Sequence, residues 1–305
     1  MKILVLGGAG FVGRNLVRLL SQKKFPMKNV YVIDKDNVNM EYIRKFCPNT
    51  MIADLAEHGS WGNWVKGKDY VVNLAAQISS NDPNDFVRNN VTDARNMIAA
   101  IKKHSKNARV IHFSSAAVLS VRKDDYAKTK KESENLVTKS GLRYFTIRPS
   151  LMYGPTDTKN IGYLIRFAQA YPFFPIPGTG KYIRQPLYID DVNAIIINAM
   201  KRFPAKNTII GINGKEKIYF CDMIKAVLDE LGGFRFRVFL PVWIFKALMA
   251  GYQGLVGKQR FTADQVDSLT GGDVFPDYPW WDIYHVKPTS FREGVRKMIP
   301  FYRKK

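Results

Sequence analysis

The chain opens on an apolar run, Ile3-Leu-Val-Leu6, that stops at a glycine-rich turn; apolar positions then recur at helical spacing (Phe11, Val12, Leu16, Leu19, Leu20). Short apolar runs bounded by turn residues read as buried parallel strands, and a 3.6-residue period reads as amphipathic helix. These patterns predict strands at about 2–7, 29–34, 50–53, 69–74, 109–114 and 143–148, with helices near 11–22, 39–46, 82–104 and 124–139. Such alternation predicts an α/β fold, a doubly wound parallel sheet. A helix after Asp191 (Val192, Ile195, Ile196, Ala199) and a strand near 207–212 return to that sheet. The sheet domain is therefore expected over 1–154 plus about 186–213. A smaller C-terminal lobe, split in sequence, is expected over about 155–185 plus 214–305.

The first turn carries chemistry. In Gly7-Gly-Ala-Gly-Phe-Val-Gly13, Gly7 permits a tight turn, Gly10 lets a pyrophosphate approach the backbone, and Gly13 lets helix and strand pack closely. The N–H groups that open the following helix, from Phe11 and Val12 onward, are placed to hold an anion. An acid at the end of the second strand, about 20 residues on, completes a dinucleotide fingerprint, and Val30-Tyr-Val-Ile-Asp34 supplies it. Asp54, at the third strand end and before Leu55, either accepts from an adenine amino group or caps a turn. In Asn73-Leu-Ala-Ala76, small residues let the backbone run close to a cofactor. Asn90 lies within the helix expected at 82–104, where it either holds a water or a carbonyl or simply faces solvent.

The fifth strand ends in Ser114-Ser115, at the sheet edge where open α/β sheets bind ligands. Tyr126-Ala-Lys-Thr-Lys130 follows, with Tyr126 and Lys130 on one helix face. An ammonium there can lower the pKa of the phenol, normally near 10, toward working pH, so that its ionised form can take a proton from a hydroxyl. Tyr31 and Lys35 share the spacing, but they lie on a strand and its exit and cannot converge in that way.

Composition narrows the picture. The 305 residues are 46% hydrophobic, enough for a sizeable core. Cys47 and Cys221 match no metal or redox spacing, which fits a reducing, cytoplasmic compartment. His58, His104, His112 and His285 show no ligand spacing, and no metal is expected. The charge of +21 attracts nucleic acid, anionic lipid or anionic small substrates, or else reflects a lysine-rich surface. No nucleic-acid motif accompanies it, and no nucleic-acid partner is expected. Lys2 with its apolar run mimics a signal peptide, but the glycine turn explains residues 3–6 better as a strand.

As an ordered set, these residues resemble an extended short-chain dehydrogenase/reductase of the NAD-dependent epimerase/dehydratase type. Arg148-Pro149, Tyr153-Gly-Pro155 and Arg184-Gln-Pro-Leu-Tyr-Ile-Asp-Asp191 extend the likeness to about residue 213. The resemblance implies a Rossmann-type sheet with a substrate-binding lobe. It also implies that Gly7, Gly10, Phe11, Val12 and Gly13 cradle the pyrophosphate, that Asp34 binds the adenosine ribose, and that Asp54 and Leu55 frame adenine. Leu74, Ala75, Ala76 and Asn90 join them along the cofactor. Ser115, Tyr126 and Lys130 become the catalytic triad, with Lys130 also on the nicotinamide ribose. Arg184 and Gln77 face the substrate; the alternative for Arg184 is an ion pair with Asp190 or Asp191. Asp34 favours NAD over NADP by repelling a 2′-phosphate, an effect that Lys35 blunts. The family also implies a homodimer through the helices near 82–104 and 124–139.

Three departures concern the substrate. Only Ala116 to Asp125 separate Ser115 from Tyr126, Leu151 stands where sugar-nucleotide epimerases commonly carry an Asn, and Val118-Leu-Ser120 replaces a Val-Tyr-Gly. These resemble atypical members, including relatives of the NAD(P)-binding accessory subunit of respiratory complex I. Asp124 and Asp125 read either as the extra acid of a dehydratase or as helix caps.

The stretch 238–257 is long and apolar, but Pro241, Lys246, Gln253 and its glycines argue against a membrane span. Arg235, Arg237, Lys258 and Arg260 flank it. It reads either as a helix at an anionic membrane surface or as one buried in the lobe or a dimer contact. The expected activity is transient oxidation of a hydroxyl on a nucleotide-linked or lipid-diphosphate-linked sugar, with epimerisation favoured. The alternatives are a nucleotide-binding assembly subunit at the inner face of a membrane and a ketone reductase.

Overall fold

The computed structural model describes residues 1–120, 123–256, 266, 269–271 and 274–302, and its backbone divides into two compact units. The first comprises Met1–Ser150, Ile189–Ile212 and Asp277–Lys287. Its elements are β1 (Ile3–Leu6), α1 (Phe11–Gln22), β2 (Val30–Asp34), α2 (Asn37–Arg44), β3 (Asn49–Ile52), β4 (Tyr70–Asn73), α3 (Pro83–Phe86), α4 (Asp93–His104), β5 (Arg109–Phe113), α5 (Asp125–Thr138) and β6 (Arg143–Pro149). The second comprises Leu151–Tyr188, Asn213–Pro276 and Pro288–Lys305. It begins with β7 (Met152–Tyr153), α6 (Ile161–Ala170), β8 (Phe173–Pro177), β9 (Ile183–Arg184) and β10 (Leu187–Tyr188). The chain then returns α7 (Ile189–Lys201) and β11 (Thr208–Ile212) to the first unit. The second unit resumes with β12 (Ile218–Tyr219), α8 (Phe220–Leu231), β13 (Phe236–Leu240) and α9 (Val242–Val256). After α10 (Trp280–Ile283) in the first unit, α11 (Phe291–Met298) closes the second.

In the first unit seven parallel strands run in the order β11-β6-β5-β4-β1-β2-β3. The inner strands were legible as apolar runs because a parallel sheet is covered on both faces, and Ile3 to Leu6 and Val71 to Val72 have no exposure at all, whereas the edge strand β3 (Asn-Thr-Met-Ile) is only partly buried. The strand order reverses between β1 and β4, which opens a crevice at their carboxyl ends. Leu4, Leu6, Ile33, Val71, Met97, Ile101 and Val110 share one core there.

The helix expected over 82–104 is in fact three segments: α3, a wide π-helical stretch at 87–92, and α4. The wide turn buries three consecutive residues, Asn89, Asn90 and Val91, which a regular helix would place about 100° apart in succession.

The second unit is built around Tyr153, Ile165, Phe174, Ile224, Phe291 and Met298. Its strand pairs are short: β7 with β10, β9 with β12, and β8 with β13.

Candidate functional site

The glycine turn lies at the sheet's reversal point. Gly7 has φ 74°, and a Cβ there would sit 2.4 Å from the Ala75 nitrogen, so the loop after β4 runs directly against the turn. A Cβ on Gly13 would meet the Gly8 carbonyl oxygen at 2.4 Å, which is why α1 can start so close to β1. Gly10 is the N-cap of α1, and no side chain caps that end. The N–H groups of Phe11, Val12 and Gly13 are thus the orphan donors of the first turn, at the positive end of the helix dipole.

Asp34 ends β2 beside them. Its Oδ2 accepts from the Ala9 N–H at 2.8 Å and its Oδ1 from the Asp36 N–H at 2.9 Å, leaving lone pairs on both oxygens. Burial pushes its carboxyl above the ordinary value, against the pull of these N–H groups.

Asp54 is engaged on both oxygens. Oδ1 accepts from the Ala56 N–H at 3.0 Å, and Oδ2 lies 2.8 Å from Arg88 and 3.6 Å from Lys35. Burial opposes its ionisation, but the Arg88 and Ala56 bonds and the Lys35 charge outweigh it and hold Asp54 below the usual carboxylate value. Asn89 Oδ1 accepts from Lys35 at 2.6 Å, so the π stretch braces the cation next to Asp34. Leu55 is buried in the core of the unit. Sequence reading missed Lys35 and Arg88 as partners of Asp54, because only the crossover between strands brings them together.

The loop after β4 is tied down by Asn90, whose Oδ1 accepts from the Gln77 N–H at 2.8 Å. Its Nδ2 donates to the Gln77 carbonyl at 3.2 Å and to Thr129 Oγ1 at 3.0 Å. Asn90 is thus a buried bracket between the Leu74–Gln77 segment and α5 that holds a carbonyl, that of Gln77, and does not face solvent. Leu74 continues the β4 ladder through its N–H to the Leu6 carbonyl at 2.9 Å, and Ala76 is exposed. The Gln77 amide donates to the Ser79 carbonyl at 2.6 Å.

Ser115 follows β5, accepts from the Ala117 N–H at 3.2 Å, and acts to lower the phenol of Tyr126. Asp124 caps α5 by accepting from the Ala127 N–H at 2.8 Å, and Asp125 pairs with Lys128 at 3.2 Å, so these two acids serve the helix terminus. Lys130 is 2% exposed, and its Nζ donates to the Phe113 carbonyl at 2.5 Å. Burial lowers its ammonium to about 8, although Glu134 and Asp93 act to keep it charged. The phenol of Tyr126 behaves differently from the expectation. Burial raises it above 10, Ser115 pulls it down, and Asp124 pushes it up again. The depression expected from Lys130 is absent because its ammonium is turned onto the Phe113 carbonyl.

Glu134 continues the same face of α5 at i+8 from Tyr126. It is 1% exposed and takes two bonds from Arg148, at 2.7 and 2.5 Å, and one from Lys131 at 2.8 Å. Burial would raise its carboxyl, but the bonds from Arg148 and Lys131 hold it down at about 2. Asp93 opens α4 with a buried Oδ1 that has no partner among the described residues, and burial raises its carboxyl to about 7.

Arg184 belongs to the second unit, where its guanidinium donates to the Leu269 carbonyl. Asp190, one of its two expected ion-pair partners, is instead 2.5 Å from Arg18.

The profile of the NAD dependent epimerase/dehydratase family matches residues 3–212. Ceramide reductase of Caulobacter vibrioides is 26% identical over 195 residues, 64% of this chain and 59% of that protein, so the match spans well under two thirds of that relative. Mouse mitochondrial NADH dehydrogenase [ubiquinone] 1 alpha subcomplex subunit 9 is 26% identical over 299 residues, covering 93% of this chain and 76% of the relative. The crystal structure of UDP-glucuronic acid 4-epimerase from Bacillus cereus in complex with NAD superposes with a TM-score of 0.73 at 21% identity, over 99% of this chain and 100% of that one, and so shares the fold. With the glycine turn, the acid ending β2 and the Tyr126–Lys130 helix all inside the matched residues, the chain belongs to the NAD-dependent epimerase/dehydratase family.

Proposed function

We propose that the protein oxidises and re-reduces one carbon of a nucleotide-linked sugar, with epimerisation as the net result. The observation that carries this reading is the placement of Tyr126 and Lys130 one turn apart on α5, with Ser115 just after β5 acting to lower the phenol. NAD suits the chain's own residues: the uncapped start of α1 fits a pyrophosphate, the crowding at Gly7 keeps the cradle open, and Asp34 retains acceptors for ribose hydroxyls. When bound, NAD supplies a hydride acceptor and donor at the reacting carbon.

The protein's part is proton handling and orientation. Tyr126 Oη takes the proton of the substrate hydroxyl as the carbon is oxidised and gives it back on re-reduction. Ser115 Oγ, which acts on that phenol, holds the same substrate oxygen. Lys130 keeps N–H groups beyond the one used by Phe113, and these suit a ribose hydroxyl. Arg184 and Gln77 are assigned to the substrate and Leu74 to Ala76 to the cofactor on the strength of the family pattern. The homodimer it implies would use the outward faces of α4 and α5.

A second reading, net reduction of a ketone on a lipid-borne substrate, is favoured by the exposed apolar side chains of α9 and by likeness to a protein named ceramide reductase. Thermal shift with NAD present, scanned over uridine, thymidine and guanosine diphosphates and their sugars, separates the two. Stabilisation by one nucleotide series is expected. Stabilisation by NAD and by none of the nucleotides would move the assignment to the ketone reductase.

A further inference from the structure

The second unit carries its own unusual surface. Tyr171 and Phe173 stack their rings 6.1 Å apart, Phe234 and Phe236 theirs 6.0 Å apart, and the β8–β13 register sets Phe173 beside Phe236. All four side chains are exposed, Phe234 to 87%. Isolated exposed aromatics are ordinary on a folded surface, whereas a contiguous row marks an interaction site.

α9 extends the theme. Its exposed positions are Trp243, Ala247, Leu248 and Gly251, with Trp243 at 72%, while Ile244, Phe245 and Lys246 are half-buried. The helix thus turns apolar side chains outward, the reverse of a helix that serves only the lobe's core. Of the two readings of 238–257, burial is not what α9 shows among the described residues; Gly257, Lys258 and Arg260 lie outside them.

The segments 158–188 and 231–256, which contribute β8, β13 and α9, hold seven basic residues and no Asp or Glu. On the other face of β13 from Phe236, Arg237 sits over the exposed Phe239 ring at 5.9 Å, so the strand carries a guanidinium beside its aromatics. Like charge opposes a second copy seated face to face on this surface. The aromatic row with cations beside it would by itself also suit a single-stranded RNA, but the Ala247, Leu248 and Gly251 positions of α9 offer an RNA no stacking platform and an acidic protein no polar partner. A bilayer with anionic headgroups satisfies both halves, apolar rings at the acyl boundary and cations among the phosphates. No helix among the described residues is long and apolar enough to cross a membrane, so the contact is one of lying on the surface.

We infer that the β8–β13 edge and the outward face of α9 dock the protein on an anionic lipid bilayer. This inference is independent of the reaction proposed above. Its test is co-sedimentation of the full chain with vesicles of 30% phosphatidylglycerol in phosphatidylcholine, beside pure phosphatidylcholine vesicles, at low and high salt. Binding is expected to the anionic vesicles only, weakening with salt. The double variant Phe234→Ala, Trp243→Ala should lower the partition coefficient by about tenfold or more, with NAD binding unchanged as the check on folding. Both side chains are solvent-exposed, so the variant should fold. Three outcomes would overturn the inference: protein left in the supernatant at low salt, unchanged partitioning of the double variant, or retention of the chain by single-stranded RNA or an acidic protein in preference to the vesicles.

Discussion

The ammonium of Lys130 and the carbonyl oxygen of Phe113 lie 2.5 Å apart, joining the middle of α5 to the end of β5. Around that bond the buried charges alternate: Lys130 is flanked by Glu134 and Asp93, and Glu134 by Arg148 and Lys131. The site therefore rests on a polar layer that reaches well behind the residues that would touch substrate.

Glu134 is the keystone of that layer. Glu134→Gln removes the anion that pairs with Arg148 and helps keep Lys130 charged. Leaving a buried partner uncompensated costs about 3–5 kcal/mol. Denaturant unfolding should register that loss, and a pH–rate profile should show the Lys130 limb moving below its present position of about 8. Because the Glu134 carboxyl is held at about 2, its stabilisation is present above the ordinary value of 4.5 and is lost only as pH falls toward 2. An unchanged profile with full stability would mean that the pair is ornamental.

Asp93 predicts the opposite slope. Its carboxyl is raised from 3.8 to about 7, so between those values the folded chain binds more protons than the unfolded one. Stability from this group therefore falls as pH rises from about 4 to 7. Asp93→Asn should flatten that part of the stability curve and leave the variant more stable than the parent at pH 8, by roughly 1–3 kcal/mol. Thermal melts across pH 4–8 measure the difference directly; parallel curves would rule the assignment out.

Gly7→Ala tests the cradle. The added Cβ falls 2.4 Å from the Ala75 nitrogen at a φ of 74°, and neither backbone can yield cheaply. A loss of about 3 kcal/mol or more is expected in stability, together with loss of NAD binding by calorimetry. A stable variant that binds NAD normally would show that the turn does not constrain the cofactor.

The fold was legible because its strands are apolar runs and its first helix begins at glycine, both local signals. Asp34, Ser115 and Tyr126 stood out for the same reason, since each sits at the end of a strand or the start of a helix, and Lys130 through its i+4 spacing from Tyr126. Other features were hidden for physical causes. A π turn adds one residue to a helix and leaves no mark on its period, so the joint burial of Asn89 and Asn90 could not be read. The Lys35–Asp54–Arg88 cluster and the Glu134–Arg148 pair depend on which strands lie side by side. The direction of the Tyr126 shift depended on where Lys130 points, which i and i+4 spacing alone does not determine.

The central claim is that Tyr126 moves the proton. The direct measurement is single-turnover conversion of the nucleotide-linked sugar that stabilises the protein in the thermal-shift scan, by the NAD-loaded parent and by Tyr126→Phe. The account predicts that the parent epimerises that sugar, and that the variant binds NAD as before while losing about 10²–10⁴-fold in rate. A Tyr126→Phe protein that turns over at the parental rate would contradict it.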